Sequence, residues 1–544
     1  MWGGLRPIRS RLLLDVATIV AQVLCALTAP TLTSVVILIF SSLCTVATAG
    51  LTQRWTITFP MVPFLFLQGM RRIDVLLDGK YGRLVSDVVL VTSILLSALS
   101  TVLTILFPAV EFHPISGRFQ VGIIDVQLPV DFSEGLRRGS MVGTAHEHEE
   151  ELLDSGSVTA RILYPTNDKG GSIPYFDPRS ANVICQEMMK AGAPGPLKKF
   201  SWMLHTWQLT KLRAIRNACP AEVEEDSRTK KLPIVIFSHG LTGISAIYSY
   251  QALSLAASGT LVLMVDHTDM SACCVRRRDG SFLLYDCSPV TDLMKGEKSE
   301  LEYVRGRRAQ TEHRAAECLS ALNGLTSLNR KNIPALSGLN VSFVGKLDES
   351  EVTIMGHSFG GATALTVAAI RPDLFSAVVA HDPAVDWMPD KARRALFLKT
   401  RIQGAAIRYE GGTGGFRDAD QEEKKDAERE ADNACDSFHS NDMLFLYSEE
   451  WFLKGWGAYK YVKDLDDRSM LGPNKGVSNV GVIRGAKHSE FSDTCIMTPI
   501  WLARGTGLTG DRNPHDTSYE IAEKTIAFLD SSRRKREARR RKIR

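Results

Sequence analysis

A mixed α/β fold with a largely parallel central sheet is the class the sequence predicts, and three observations predict it. Continuous apolar runs such as "LPIVIFSHG" (232–240) and "GTLVLMVDHTD" (259–269) have the composition of strands covered on both faces. Helix-patterned segments separate such runs in turn, the alternation a parallel sheet with helical crossovers requires. In "EVTIMGHSFGGATALTVAAI" (351–370) a short apolar run meets a glycine-flanked Ser358, then an alanine-rich stretch with helix-spaced apolar residues.

Along the chain, the first 111 residues differ from the rest. The runs at 12–29, 31–51 and 84–110 are dominated by apolar residues, and 57–70 is a shorter apolar piece with two prolines. The second and third runs are long enough to cross about 30 Å of hydrocarbon as helices. The expectation is an N-terminal transmembrane helical region, 1–111, with three to four hydrophobic segments. Arg6, Arg9 and Arg11 precede the first segment, and Arg71, Arg72, Lys80 and Arg83 precede the last. If both clusters are cytoplasmic, the following domain lies in a lumen or outside the cell. The expected localisation is therefore a multi-pass membrane protein.

An α/β domain is expected over 112–530. "GRFQVGIIDVQLP" and "TARILYPTND" read as its first strands. In "KKFSWMLHTWQL", Phe200, Met203, Leu204 and Trp207 share one helical face, the pattern of core, of a lid or of a surface that meets lipid. A helix is expected at 249–258, a long one at about 304–325, and strands at 375–382, 442–451 and 477–491. The last helix is placed at 519–529. Between them, 411–436 is charge-dense and reads as a solvated, mobile insertion without chemistry.

The net charge of +4 conceals a basic end. Residues 531–544 carry nine Lys or Arg and one Glu, so the remainder is near −4. The tail reads as disordered and solvated, with anionic lipid headgroups as its alternative contact; membrane spans argue against nucleic acid. Eight of the ten cysteines follow residue 111, with no disulfide-framework or zinc spacing. No metal and no cofactor is expected, and the oligomeric state is left open.

Strand, tight turn and helix around Ser358 form the setting of a nucleophile elbow, in which a serine stands exposed at the C-terminal edge of a sheet. The α/β-hydrolase order is nucleophile, acid, base. Asp382 follows at the end of an apolar strand, and His488 in the loop after "GVIRGAK". A serine hydroxyl is a weak nucleophile until an imidazole accepts its proton, and the imidazole needs a carboxylate to hold its tautomer. Asp386, in "AVDWMPD", is the alternative acid. The amide of Phe359, next to the serine, and that of Leu241, in "SHGLTG", are the candidate oxyanion donors. His239 and His267, at strand ends, read as structural.

Several motifs in one order carry a resemblance. "PIVIFSHGLTGISAIYS", "DHTDMSA", "RRAQTEHRAAECLSAL", "DESEVTIMGHSFGGATA", "MLFLYSEEW" and "GAKHSEFSD" resemble the platelet-activating factor acetylhydrolase family of the plasma and intracellular, lipoprotein-associated phospholipase type. The resemblance implies an α/β-hydrolase fold and calcium-independent hydrolysis of short or oxidised sn-2 acyl chains of phospholipids. It implies Ser358 as nucleophile, His488 as base, and Leu241 with Phe359 as oxyanion donors. The family's acid sits in an Asp-aromatic-Pro setting; Asp382 has the better strand position and Asp386 the better Trp-Met-Pro match. The expected partners are a phospholipid substrate and the bilayer that holds it. A general carboxylesterase or lipase, and a non-catalytic lipid- or partner-binding protein, are the competing expectations.

Overall fold

In the computed structural model, the described residues are 110–129, 157–192, 201–222, 231–330, 341–397, 442–467 and 479–543, apart from single positions, with short pieces elsewhere. Apart from scattered single positions, the hydrophobic N-terminal segments lie outside the described residues. Among those described, no helix is long and apolar enough to cross a membrane. The charged insertion also falls outside them, apart from the short strand Gly415–Arg417.

Among the described residues, nine strands form the central sheet: β1 (Gln120–Pro129), β2 (Ser157–Thr166), β3 (Ile215–Arg216), β4 (Leu232–Ser238), β5 (Leu261–Asp266), β6 (Leu347–His357), β7 (Ala377–His381), β8 (Asp442–Ser448) and β9 (Val480–Ile483). Their order is β9-β8-β7-β6-β4-β5-β2-β1-β3. From β9 to β5 all neighbours are parallel, and only β2 runs antiparallel to both its neighbours, β5 and β1. This is the largely parallel sheet that the apolar runs predict, in the α/β-hydrolase-like arrangement that the resemblance implies.

Side chains of the parallel strands alternate between two buried layers. Ile354, Val378, Ile236 and Phe445 face one layer with Leu319, Leu322 and Leu365. Met355, Val379, Phe237 and Leu446 face the other with Leu253, Ala256, Ile521 and Phe528. The helices supplying these layers are α1 (Ser249–Ala257), α2 (Glu300–Arg330), α3 (Phe359–Ile370) and α5 (Pro514–Ile543); α4 (Glu449–Lys454) follows β8 at the sheet edge. Because both faces are covered, polar alternation is absent from β4 and β5. Of the aromatic face at 200–207, Leu204 and Trp207 are buried, which is core packing. The described cysteines are all unpaired, so no disulfide holds the described fold.

The register aligns the strand ends that matter. Gly356 pairs with Ser238 and Ala380, and His357 with His381. Residues that follow β4, β6, β7 and β8 therefore emerge side by side at one edge.

The expectation of a disordered tail at 531–544 is corrected: α5 runs on through Ile543. Arg, Lys, Ala and Glu are good helix formers, and two buried acids at the opposite edge of the sheet need counter-charges. Arg536 Nη2 lies 2.6 Å from Glu351 Oε2, and Nη1 2.9 Å from Asp442 Oδ2. Ser532 Oγ also donates to Asp442, and Arg540 adds a second contact to Glu351 at 3.4 Å. Removing one partner of a buried pair strands the other. Arg536→Gln is expected to lower unfolding stability by about 3 kcal/mol, read as a shifted urea midpoint; an unchanged midpoint would show that the helix end contributes nothing.

Candidate active site

At the end of β6 the chain turns through Ser358, whose φ of 59° and ψ of −117° lie where L residues are seldom found. The turn is held by Ser358 N donating to His381 O at 2.9 Å, and by Ala362 N and Ala384 N donating to Ser358 O. The flanking glycines provide room, and the positive φ falls on the serine itself. A Cβ on Gly356 would stand 2.0 Å from Gly360 O, and one on Gly360 2.0 Å from Ser238 O. Neither approach is open to a residue with a side chain.

His488 begins a short 3-10 helix after β9. Its Nε2 is 3.0 Å from Ser358 Oγ, and its Nδ1 is 2.9 Å from Asp382 Oδ2. With the carboxylate accepting from Nδ1–H, Nε2 is left to accept from the serine hydroxyl. Asp382 is fully buried, whereas the His488 side chain is 29% exposed. Burial raises the Asp382 carboxyl above its ordinary value, opposed by hydrogen bonds from His488 and Ser448. Ser448 N donates to Oδ1 at 2.7 Å and Ser448 Oγ to Oδ2 at 2.6 Å.

The imidazole is clamped from several sides. Trp451 of α4 stacks on it at 4.4 Å with an 8° interplanar angle, and His357 lies 4.5 Å away on a tilted plane. Its backbone N donates to Glu450 Oε2 at 3.1 Å. His357, Asp382 and His488 bring ligand-type atoms within 4.8 Å of one another. The Asp382 and His488 atoms are joined to each other and to Ser358, an arrangement suited to proton transfer. Ser448, Glu450 and Trp451 had no role in the sequence reading, although their motif, "YSEEW", ends a strand at the site edge.

The loop after β4 passes beside the serine. A Cβ on Gly240 would be 3.3 Å from Ser358 Cβ. Tyr248 Oη accepts from Gly240 N at 3.0 Å and lies 2.9 Å from His357 Nδ1, which ties this loop to the elbow. Among the described residues, neither the Leu241 amide nor the Phe359 amide has an acceptor. Two unspent N–H groups thus belong to the residue after Ser358 and to the residue after Gly240.

The other expected residues stand apart from this chain. Asp386 sits in the turn Val385–Trp387, with Oδ1 buried and lacking a hydrogen-bond partner; it makes no bond to His488. Burial raises its carboxyl, with Arg393 and Arg308 opposing. His239 and His267 are buried under the loop, His239 Nδ1 against Gly240 O at 2.8 Å and His267 Nδ1 against Glu317 at 2.7 Å. Burial, then Arg314, lowers the basicity of both.

Asp493 anchors the histidine loop. Its carboxylate accepts from Tyr175 Oη at 2.6 Å and from Tyr250 N, in the first turn of α1, at 3.2 Å. Burial pushes its carboxyl up to about 8, with the Tyr175 and backbone hydrogen bonds opposing. An unfolded aspartate titrates near 3.9, so between about 4 and 8 the native state binds more protons than the unfolded one. This group's stabilisation is fully present below about pH 4 and is lost as pH rises through about 8. Asp493→Asn should flatten the decline of stability between pH 5.5 and 7.5 in urea titrations; an unaltered slope would contradict the assignment.

A sequence model of the family described as "Platelet-activating factor acetylhydrolase, isoform II" matches residues 105–394. The chain is similar to the "Platelet-activating factor acetylhydrolase" of Cavia porcellus, 33% identical over 180 residues, 31% of this chain and 38% of that protein. The match to the Gallus gallus protein of the same name likewise spans 38% of its length, so the chain matches well under half of these relatives. A Schizosaccharomyces pombe protein, provisionally named as a phospholipase A2, is 29% identical over 69% of this chain and 83% of its own. Among solved structures, a ferulic acid esterase from Streptomyces cinnamoneus is similar at 16% identity and a TM-score of 0.41, over 77% of this chain and 91% of that one.

Proposed function

The chain belongs to the platelet-activating factor acetylhydrolase, isoform II, family, and from that premise we propose that it is a serine hydrolase releasing short or oxidised sn-2 acyl chains from phospholipids without calcium. The observation that carries the reading is the unbroken chain Ser358 Oγ, His488, Asp382 beside two unspent amides.

In the proposed reaction His488 Nε2 takes the Ser358 proton as Oγ attacks the sn-2 carbonyl carbon. The oxyanion that forms accepts from the Leu241 and Phe359 amides, fixed dipoles that need no reorganisation. Asp382, sealed from water, stabilises the imidazolium and holds Nδ1 protonated. His488 then delivers its proton to the departing sn-2 oxygen, releasing the lysophospholipid and leaving an acyl-serine. Water, deprotonated by the same imidazole, attacks the acyl carbon; the carboxylic acid leaves and Ser358 regains its proton. The charge work falls to backbone amides and an imidazole, which supports turnover without a divalent cation.

The test is acyl release from short-chain and long-chain phosphatidylcholine by the purified full chain in EDTA, with Ser358→Ala beside it. Short-chain turnover that disappears in the variant supports the reading. No turnover from protein that a fluorophosphonate still labels moves the substrate to another ester; no labelling of folded protein removes the enzyme reading.

The proposal extends to the membrane: the apolar N-terminal segments anchor the hydrolase domain on the luminal or extracellular side, where substrate is drawn from the host bilayer. Protease digestion of sealed vesicles is expected to spare the hydrolase domain until detergent is added. Digestion without detergent would reverse the orientation.

A further inference from the structure

One buried guanidinium touches both halves of the proposed oxyanion hole. Arg314, on α2, is fully buried. Its Nη1 donates to His239 O at 2.7 Å, two residues before Leu241. Its Nε donates to Asp269 Oδ2 at 2.9 Å and lies 3.0 Å from Ser271 Oγ, to which Nη2 also donates. Ser271 O accepts from Thr242 N at 2.7 Å, one residue after Leu241. The face of the guanidinium lies over the Phe359 ring, with Cζ 4.0 Å from its centroid, and Trp387 meets that ring edge-on at 5.0 Å. Leu241 is thus tied on both sides, and the residue bearing the second amide is pinned by its ring.

The loop needs outside ties. Thr242 has a φ of 58°, a conformation that a threonine does not hold by preference. An oxyanion hole acts only when its donors stand about 2.7–3.1 Å from the developing charge, so small displacements of one amide are costly. A fully buried ion pair is a weak device for stability alone. A planar fork bonding in three directions while stacking on an aromatic ring is specific to arginine; lysine cannot copy it. One turn further on, Glu317 accepts from Thr268 N at 2.9 Å and pairs with His267, whose Nε2 is 2.7 Å from Ser238 Oγ. The same helix face therefore grips the ends of β4 and β5.

We infer that Arg314 is a positioning residue that sets the spacing between the Leu241 and Phe359 amides. The inference rests on the reading of those amides as oxyanion donors. It makes Arg314 necessary for transition-state stabilisation and dispensable for proton transfer, since the structure places no contact between it and Ser358, His488 or Asp382.

The test uses the full chain, a soluble short-chain ester, and a trifluoromethyl ketone whose adduct with Ser358 carries an oxyanion. Arg314→Lys is expected to lower kcat by about 10²-fold, as for loss of one oxyanion donor, with KM within about threefold. Ketone affinity should fall by a similar factor, and the acidic limb of the pH profile should stay in place. Ser271→Ala, a milder change, should move kcat and ketone affinity the same way by a smaller factor. Arg536→Gln serves as the control that loses stability alone. Unchanged ketone affinity and kcat in folded Arg314→Lys would overturn the inference. If Arg314→Lys fails to fold, unchanged values in Ser271→Ala overturn it equally. A ketone that binds wild type no better than the matching methyl ketone would instead remove the oxyanion-hole reading itself.

Discussion

Ser358→Ala is expected to lower kcat for ester hydrolysis by about 10⁴- to 10⁶-fold, the scale on which triad nucleophiles are lost. Labelling by a fluorophosphonate should vanish with it. Ser358→Gly should be as inactive yet more stable. The turn holds residue 358 at φ 59°, ψ −117°, a region that costs an L residue about 1–3 kcal/mol. Glycine escapes that strain, though it brings about 0.5–1 kcal/mol of extra chain entropy on folding. The net expectation is a gain of about 1 kcal/mol over Ser358→Ala in urea unfolding. Alanine retains the Cβ and so retains the strain. Equal stability of the two variants would mean that the elbow stores none, and residual hydrolysis in both would move the nucleophile elsewhere.

The second large effect separates the two aspartates. Asp382→Asn is expected to reduce kcat by about 10³- to 10⁴-fold with the fold intact. Ser448 N and Oγ both donate to the native carboxylate. The amide introduced by Asp382→Asn would keep its oxygen toward one of those donors and turn its NH2 toward His488. Nδ1 then has to accept, the proton moves to Nε2, and the imidazole can no longer receive the Ser358 proton. Asp386→Asn should cost less than about threefold, because Asp386 makes no bond to the imidazole; a small effect can still travel through Trp387, which meets the Phe359 ring. Kinetics of both variants across pH 6–9 decide the matter. A large loss from Asp386→Asn with little from Asp382→Asn would transfer the acid role to Asp386.

The two aspartates also mark where sequence reasoning stops. They stand four residues apart in one motif, and residue pattern favours one by strand position and the other by its Trp-Met-Pro neighbourhood. The decision comes from β7 ending at His381, which puts Asp382 level with the serine turn and next to Ser448 at the end of β8. Ser448, Glu450 and Trp451 belong to a motif whose residues have no evident task in the sequence. Their task depends on contacts with His488 and Asp382 that span dozens of residues. Arg314 is likewise one basic residue in a helical motif until α2 packs beneath the loop.

The basic end of the chain departs further from its local reading. Taken alone, nine cations among fourteen residues repel one another and favour a solvated tail. Glu351 and Asp442 lie roughly a hundred to two hundred residues earlier in the chain, and nothing local announces that they will be buried where the last helix passes. Once they are, Arg536 and Arg540 become their counter-charges and the helix continues.

What the sequence by itself determined is what short range encodes: the apolar runs of a doubly covered sheet, the glycines that leave room at the elbow, and the order Ser358, Asp382, His488. Tertiary structure alone decided which aspartate meets the histidine, which amides stay unspent, and that one arginine ties the loop on both sides of Leu241 while stacking on Phe359. Side-chain periodicity and backbone sterics act over a few residues and are written in the local sequence. Ion pairs, stacked rings and buried hydrogen bonds join residues far apart in the chain, and they exist only after the strands have taken their register.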